Sequence, residues 1–83
     1  MKYTVIWVKL AQDRLASLWL SSRFASQITT AADWFEASLA VRPYDISESR
    51  TANLRIAFNE PLAIRFLVDE ADKKVFVIDV WLI

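Results

Sequence analysis

Two apolar segments lie at the end of the chain: Leu62-Ala63-Ile64-Arg65-Phe66-Leu67-Val68-Asp69 and Val75-Phe76-Val77-Ile78-Asp79-Val80-Trp81-Leu82-Ile83. The first segment alternates in hydropathy and predicts a strand with one face in the core, because successive side chains of a strand point to opposite faces. The second segment is apolar at nearly every position except Asp79, which is typical of a central strand. The polar stretch between them predicts the turn of an antiparallel hairpin.

The preceding residues predict two more strands. Thr51 to Phe58 alternates in the same way, and Leu54, Ile56 and Phe58 are its predicted core face. Tyr3 to Val8 is short and rich in β-branched and aromatic residues, so it predicts the first strand. Pro43 to Arg50 is polar and predicts a loop.

Two helices are predicted between the first strand and this loop. The first runs from Leu10 to about Phe24, with a helical apolar spacing at Ala11, Leu15, Leu18, Trp19 and Ser22. Ser26 is the predicted N-cap of the second helix, which Pro43 ends. Its apolar face is Ile28, Ala31 or Ala32, Phe35 and Leu39. The order β-α-α-β-β-β predicts one α+β domain over residues 1–83: a helical hairpin packed on one face of a mostly antiparallel four-stranded sheet.

The composition excludes several classes of function. The 83 residues include 10 Lys and Arg, 10 Asp and Glu, and no histidine, cysteine or glycine. Disulfides, thiolate nucleophiles, His-ligated metals, P-loops and Rossmann fingerprints are therefore excluded, and no cofactor or metal is expected. Zero net charge argues against a dedicated nucleic-acid binder. No stretch is long and apolar enough for a membrane span, so we expect a cytoplasmic protein without a membrane partner.

The turn between the second and third predicted strands sets which side chains lie opposite each other. A three-residue turn of Asn59, Glu60 and Pro61 pairs Phe58 with Leu62 and places Arg55 directly opposite Arg65 on the outer face. If the last strand directs Phe76, Ile78, Val80 and Leu82 into the core, Asp79 lies opposite or diagonal to Arg65. We therefore predict a charged row on the outer face: Arg55, Arg65 and Asp79.

This row favours binding of an anion. Two directly opposed arginines destabilise a sheet by about 0.2–1 kcal/mol, and one carboxylate does not neutralise both, so a phosphate or a partner's carboxylate would bind there. The alternative is that Arg65 pairs with Asp79 while Arg55 bends into solvent. The same predicted face is otherwise apolar, which indicates a contact surface for a partner, a homodimer or a folded-back terminus: Leu67, Val75, Val77, Trp81 and Ile83.

The element order and the C-terminal sheet resemble the RelE/ParE superfamily of bacterial type II toxin–antitoxin toxins. The similarity lies in these segments: Glu48-Ser49-Arg50, Leu54-Arg55-Ile56-Ala57-Phe58, Pro61 to Asp69, and Val75 to Trp81. The opening Tyr3-Thr4-Val5-Ile6-Trp7 is similar to the family's first strand, and the helix with Leu15, Leu18 and Trp19 is similar to its first helix. The resemblance implies a toxin whose partner is a cognate antitoxin.

The resemblance implies one of two activities. RelE-like members are ribosome-dependent, metal-independent mRNA endoribonucleases, whereas ParE-like members inhibit DNA gyrase. Arg50 and Arg55 lie near the family's basic positions. A further arginine of the family, just after the turn into the third strand, corresponds to Ala63 here, and the nearest arginine in this chain is Arg65. Because arginine stays protonated, Asp79 is the candidate base beside these three arginines.

The last residues depart from the nuclease pattern. RelE-like nucleases place a basic residue and a tyrosine where this chain has Trp81-Leu82-Ile83. The sequence therefore leaves three hypotheses open: an mRNA endoribonuclease with a weakened catalytic set, a non-cleaving toxin-fold protein that acts by protein–protein contact (gyrase-directed or degenerate), and an unrelated β-sheet binding module.

Overall fold

A computed structural model of the chain describes residues 2–83. They form the elements β1 (Thr4–Trp7), α1 (Lys9–Ser21), α2 (Ala25–Val41), β2 (Ser47–Thr51), β3 (Leu54–Asn59), β4 (Leu62–Asp69) and β5 (Lys74–Leu82). The strands form one sheet in the order β1-β5-β4-β3-β2, in which β1 is parallel to β5 and all other neighbours are antiparallel. The predicted α+β architecture is confirmed, but the sheet has five strands rather than four.

The additional strand is β2, in the segment that was predicted as a loop. Its residues are polar, yet Ser47 pairs with Ala57 and Glu48 pairs with Ile56 of β3. Polar residues suit this position because an edge strand is exposed to solvent along its free side. The predicted strand from Thr51 to Phe58 is correspondingly divided: Ala52 and Asn53 form a turn, and β3 begins only at Leu54.

The helices follow the predicted pattern with different ends. The predicted apolar face of α2 is buried at Ile28, Ala31, Phe35 and Leu39. The prediction that Ser26 caps this helix is wrong, since α2 begins at Ala25 and has no side-chain cap. The Ser22 hydroxyl instead accepts a hydrogen bond from the Phe24 N–H at 2.9 Å, just before the helix.

The core lies between the helical hairpin and the inner face of the sheet. Strand β4 contributes most to it, because four alternate side chains of this strand face the helices and are buried: Leu62, Ile64, Phe66 and Val68. They pack with the buried face of α2 and with Ala11 of α1. Burial of each large apolar side chain stabilises the fold by about 1.5–3 kcal/mol.

The register of β3 differs from the prediction by one residue. Asn59 pairs with Leu62, so the connection is the two residues Glu60-Pro61 rather than three. Because the side-chain period of a strand is two, this shift exchanges the faces of β3. Ala57 pairs with Ile64 on the helix side, and Phe58 is 49% exposed on the outer face. The predicted core face of β3, which included Leu54 and Phe58, is therefore the outer face.

Strand β5 carries a bulge that changes its face partway along. Arg65 pairs with Asp79, but the next residue, Phe66, pairs with Val77, so Ile78 has no direct partner. Val75, Val77 and Val80 are all fully buried. The predicted core positions Phe76 and Ile78 are wrong, and Val75 and Val77, which were expected on the outer face, belong to the core.

The turn between β2 and β3 generates a prediction about stability. Ala52 has φ 47°, a left-handed conformation that glycine adopts without a Cβ clash. Ala52→Gly should raise the free energy of unfolding by about 0.5–1 kcal/mol in urea denaturation. The same substitution at Ala37, an exposed residue inside α2, should lower it by about 1 kcal/mol. Equal losses in both variants would contradict the prediction.

Candidate functional site

The register places the two predicted arginines on opposite faces of the sheet. Arg65 pairs with Ile56 on the outer face, whereas Arg55 pairs with Phe66 on the face that the helices cover. The predicted outer row of Arg55, Arg65 and Asp79 is therefore wrong at Arg55. The phosphate site that depended on the two opposed guanidinium groups does not form.

Arg55 is bound to neighbouring groups within the fold. Its Nε donates to the Ser47 hydroxyl at 2.6 Å, and its Nη2 donates to the Ser47 carbonyl at 3.1 Å. Its guanidinium carbon also lies 5.1 Å from the centre of the Tyr44 ring, a cation–π contact. The Ser47 hydroxyl in turn donates to the Pro43 carbonyl at 2.6 Å. Arg55 thus ties β3 to β2 and to the loop that follows α2.

Arg65 and Asp79 are directly opposite each other, and this part of the prediction is confirmed. Their side chains nevertheless have other partners. The guanidinium carbon of Arg65 lies 5.5 Å from the centre of the Trp81 ring, while Asp79 Oδ1 lies 3.4 Å from Arg14 Nε of α1. The same carboxylate oxygen accepts the Val80 N–H at 2.8 Å. Asp79 Oδ1 is therefore already engaged by Arg14 and by a backbone donor.

The fourth candidate, Arg50, lies on the edge strand β2. Its Nη2 is 3.6 Å from Glu48 Oε2, and both side chains are largely exposed to solvent. A pair of this kind contributes little to stability. The four sequence-derived candidates consequently occupy three separate places: the inner face for Arg55, the edge strand for Arg50, and the outer face of β4 and β5 for Arg65 and Asp79.

A different polar cluster is the most extensively hydrogen-bonded in the described part of the chain. Glu70 accepts hydrogen bonds from the Tyr44 hydroxyl at 2.7 Å and from the Tyr3 hydroxyl at 3.0 Å, and it pairs with Lys73. The Lys73 ammonium also lies 5.2 Å from the centre of the Tyr3 ring. This cluster joins the start of β1, the loop after α2 and the β4–β5 turn. In the sequence, Glu70 lies in the polar stretch that predicts a hairpin turn, and nothing there indicates these partners.

The cluster shifts the pKa of its members. Hydrogen bonds from Lys73 and Tyr44 lower the pKa of Glu70 to about 2. The hydrogen bond to Glu70, together with burial, raises the pKa of Tyr44 to about 12. Burial and the hydrogen bond to Glu70 also raise the pKa of Tyr3. Both tyrosines therefore stay protonated at neutral pH and donate to a fixed carboxylate, so the arrangement holds segments together and offers no base.

The outer face of the sheet is apolar and neither helix packs on it. The apolar side chains on this face come from β3, β4 and β5: Leu54, Ile56, Phe58, Ala63, Leu67, Phe76 and Trp81. Arg65 is exposed among them. The predicted apolar outer face is thus present, although register and bulge exchange most of its predicted members. A face of this composition suits contact with another macromolecule.

Neither a metal site nor a membrane-spanning helix was found in the part of the chain that the structure describes. Within residues 2–83, no three His, Cys, Asp or Glu side chains lie close enough to hold a metal ion. No helix in the same range is long and apolar enough to cross a membrane.

The fold is similar to that of chains in two solved toxin–antitoxin complexes. It matches a chain of the RelBE2 toxin–antitoxin complex from Mycobacterium tuberculosis with a TM-score of 0.84 and 18% identity over 100% of both chains. It also matches a chain of the archaeal RelE–RelB complex from Pyrococcus horikoshii OT3, with a TM-score of 0.58 and 20% identity over 99% of this chain and 96% of that one. The sequence itself matches no family model and no curated protein. The chain therefore has the RelE-like fold that the resemblance predicts.

The Glu70 cluster generates a pH-dependent prediction. Because the folded-state pKa of Glu70 is lowered, its carboxylate stabilises the fold above about pH 4.5, and this contribution disappears as the pH falls towards about 2. Urea denaturation should show wild type more stable than Glu70→Gln at pH 6, with the difference shrinking towards pH 2. Asp72→Asn, the same change outside the cluster, should show no such gap. A pH-independent difference for Glu70→Gln would contradict the interpretation.

Proposed function

We propose that this protein is the toxin subunit of a type II toxin–antitoxin pair, that it acts in the cytoplasm, and that its partner is a cognate antitoxin protein. The single observation that carries the proposal is the full-length structural similarity to a chain of the RelBE2 toxin–antitoxin complex, at a TM-score of 0.84. The apolar outer face agrees with a protein that binds other macromolecules.

We further propose that the toxin acts by protein–protein contact, as a gyrase-directed or degenerate toxin. The separation of the arginines supports this mode. Electrostatic stabilisation of a phosphoryl transition state needs several cationic donors aimed at one point. Arg55 instead binds Ser47 under Tyr44, and Asp79 is engaged by Arg14, so neither is free to take part. The balanced net charge also gives little general attraction for RNA.

Ribosome-dependent cleavage of mRNA is the second candidate activity. One observation favours it: Arg65 is exposed on the outer face and lies against the Trp81 ring. A guanidinium can bind a phosphate while a neighbouring aromatic ring stacks on a base. In this alternative Arg65 is the central residue. Asp79 is the carboxylate directly opposite it on β5, and Glu48 lies two strands away on the other side, across Ile56.

The toxin proposal predicts growth arrest that a specific partner relieves. Induced expression in bacteria should arrest growth, and co-expression of the small protein encoded by the adjacent reading frame should restore it. The two proteins should also copurify as a stable complex. The proposal would be refuted if induced cultures grew at the same rate as uninduced cultures and the two purified proteins formed no complex.

The two activities differ in what happens to mRNA. If the toxin acts by protein–protein contact, mRNA on purified ribosomes should stay intact when the protein is added, and a gyrase supercoiling assay then tests one protein target. The nuclease activity would be established instead if the protein cleaved the mRNA, if Arg65→Ala lowered the cleavage rate by about a hundredfold or more, and if Arg42→Ala left that rate unchanged. Arg42 is a suitable control because it is an exposed arginine beyond α2, away from the outer face.

A further inference from the structure

The outer face of the sheet is arranged in three rows of side chains that run across the strands. Residues that pair directly on neighbouring strands lie on the same face, so the register gives the members of each row. The first row is apolar and spans four strands: Ile6, Phe76, Leu67 and Leu54. The middle row carries the charges: Asp79, Arg65, Ile56 and Glu48. The third row is again apolar: Trp81, Ala63 and Phe58.

The two apolar rows remain in contact with water in a single copy of the chain. When one face of an antiparallel sheet is exposed, its side chains are usually polar. Here Phe58 is 49% exposed, and Leu67, Phe76 and Trp81 are only partly buried. The helices pack on the opposite face. Covering these side chains with another apolar surface would therefore be favourable.

The middle row places opposite charges on the two sides of one apolar residue. Glu48 of β2 and Arg65 of β4 both pair with Ile56 of β3, so each lies one strand away from it. Arg65 makes no ion pair within residues 2–83. Glu48 makes only an exposed contact with Arg50 at 3.6 Å. Both charges are thus accessible to a partner.

We propose that the outer face is the interface of a homodimer in which two sheets stack face to face. A two-fold axis along β3, midway between the sheets, places β3 over β3 and β2 over β4 of the second copy. In an isologous interface each contact occurs twice. Glu48 of each copy then faces Arg65 of the other, and the apolar rows lie over apolar rows. The sheets would be about 10 Å apart, a gap that these two long side chains span together.

The expected overlap indicates a weak dimer. Three strands of each copy overlap, and at about 4.8 Å between strands and about 3.4 Å per residue they cover a flat area of about 300 Å². Stable interfaces bury about 800 Å² on each partner. We therefore expect a dissociation constant in the micromolar range or above. In the dimer Arg65 is covered, so only the monomer presents this face to other macromolecules.

The first test compares matched substitutions on the two sides of the molecule. Sedimentation velocity from about 1 µM to about 1 mM should show wild type shifting from monomer to dimer. Phe58→Arg puts two like charges against each other near the axis and should raise the dissociation constant at least about thirtyfold. Leu20→Arg is the control, because Leu20 is 77% exposed on α1 and should leave the constant unchanged. Circular dichroism checks that each variant is folded.

The position of the axis is tested by exchanging the two charges. Glu48→Arg alone places two arginines opposite each other, and Arg65→Glu alone places two glutamates there. Each single variant should weaken the dimer by about tenfold, since like charges face each other twice. The double variant should regain most of the wild-type affinity, because opposite charges face each other again. A double variant no tighter than the single ones would overturn the proposed axis.

The inference does not rest on the proposed function, and the two can fail separately. If wild type stays monomeric up to about 1 mM, the homodimer is overturned, whereas growth arrest and a complex with the adjacent gene product would still support the toxin proposal. If Leu20→Arg dissociates a wild-type dimer and Phe58→Arg does not, the two copies meet through the helices and the inference is likewise overturned. A dimer that causes no growth arrest and binds no partner would leave the inference standing and refute the toxin.

Discussion

The antiparallel pairing of β3 with β4 across the two-residue connection Glu60-Pro61 is the constraint on which the rest of the structure depends. Side chains of a strand alternate between two faces. The length of this connection therefore determines which alternating set of β3 side chains, odd-numbered or even-numbered, faces the helices. With two residues, the small Ala57 packs beside Ile64 under the helices and the bulky Phe58 points away. The same alternation sends Arg55 inward to Ser47 and leaves Arg65 outside against Trp81.

Much of the fold is predictable from the sequence because apolar periodicity reports burial directly. The face of α2 with Ile28, Phe35 and Leu39 is buried as predicted, and β4 directs Leu62, Ile64 and Phe66 into the core. Strand β2 could not be recognised in this way, since an edge strand needs no apolar pattern and Ser47 to Thr51 has none. Its pairing is visible only once β3 is in place.

The candidate site was less predictable because it depended on register, and register follows from details that apolar patterns do not encode. In β3 both faces carry apolar residues. Leu54, Ile56 and Phe58 therefore look like the core face, although it is Ala57, on the opposite face, that packs on the helix side. The partners of Glu70 were also hidden, since Tyr3, Tyr44 and Lys73 lie far apart in sequence or in a turn whose geometry is not evident. Opposition of Arg65 and Asp79 was predictable because it needed only one hairpin.

The bulge in β5 shifts the alternation of its side chains between the two faces by one residue. Up to Val77, odd-numbered residues face the helices; beyond Ile78, even-numbered residues do. Strict alternation would carry the Asp79 carboxylate into the hydrophobic interior, at a cost of several kcal/mol for an unpaired charge, and would turn Val80 out to solvent. The one extra residue keeps the carboxylate near Arg14 and retains Val80 inside. A homologue without a residue at the position of Ile78 could therefore keep every following side chain of β5 on the face that it occupies here. A homologue with an additional residue between Arg65 and Phe66 of β4 could not.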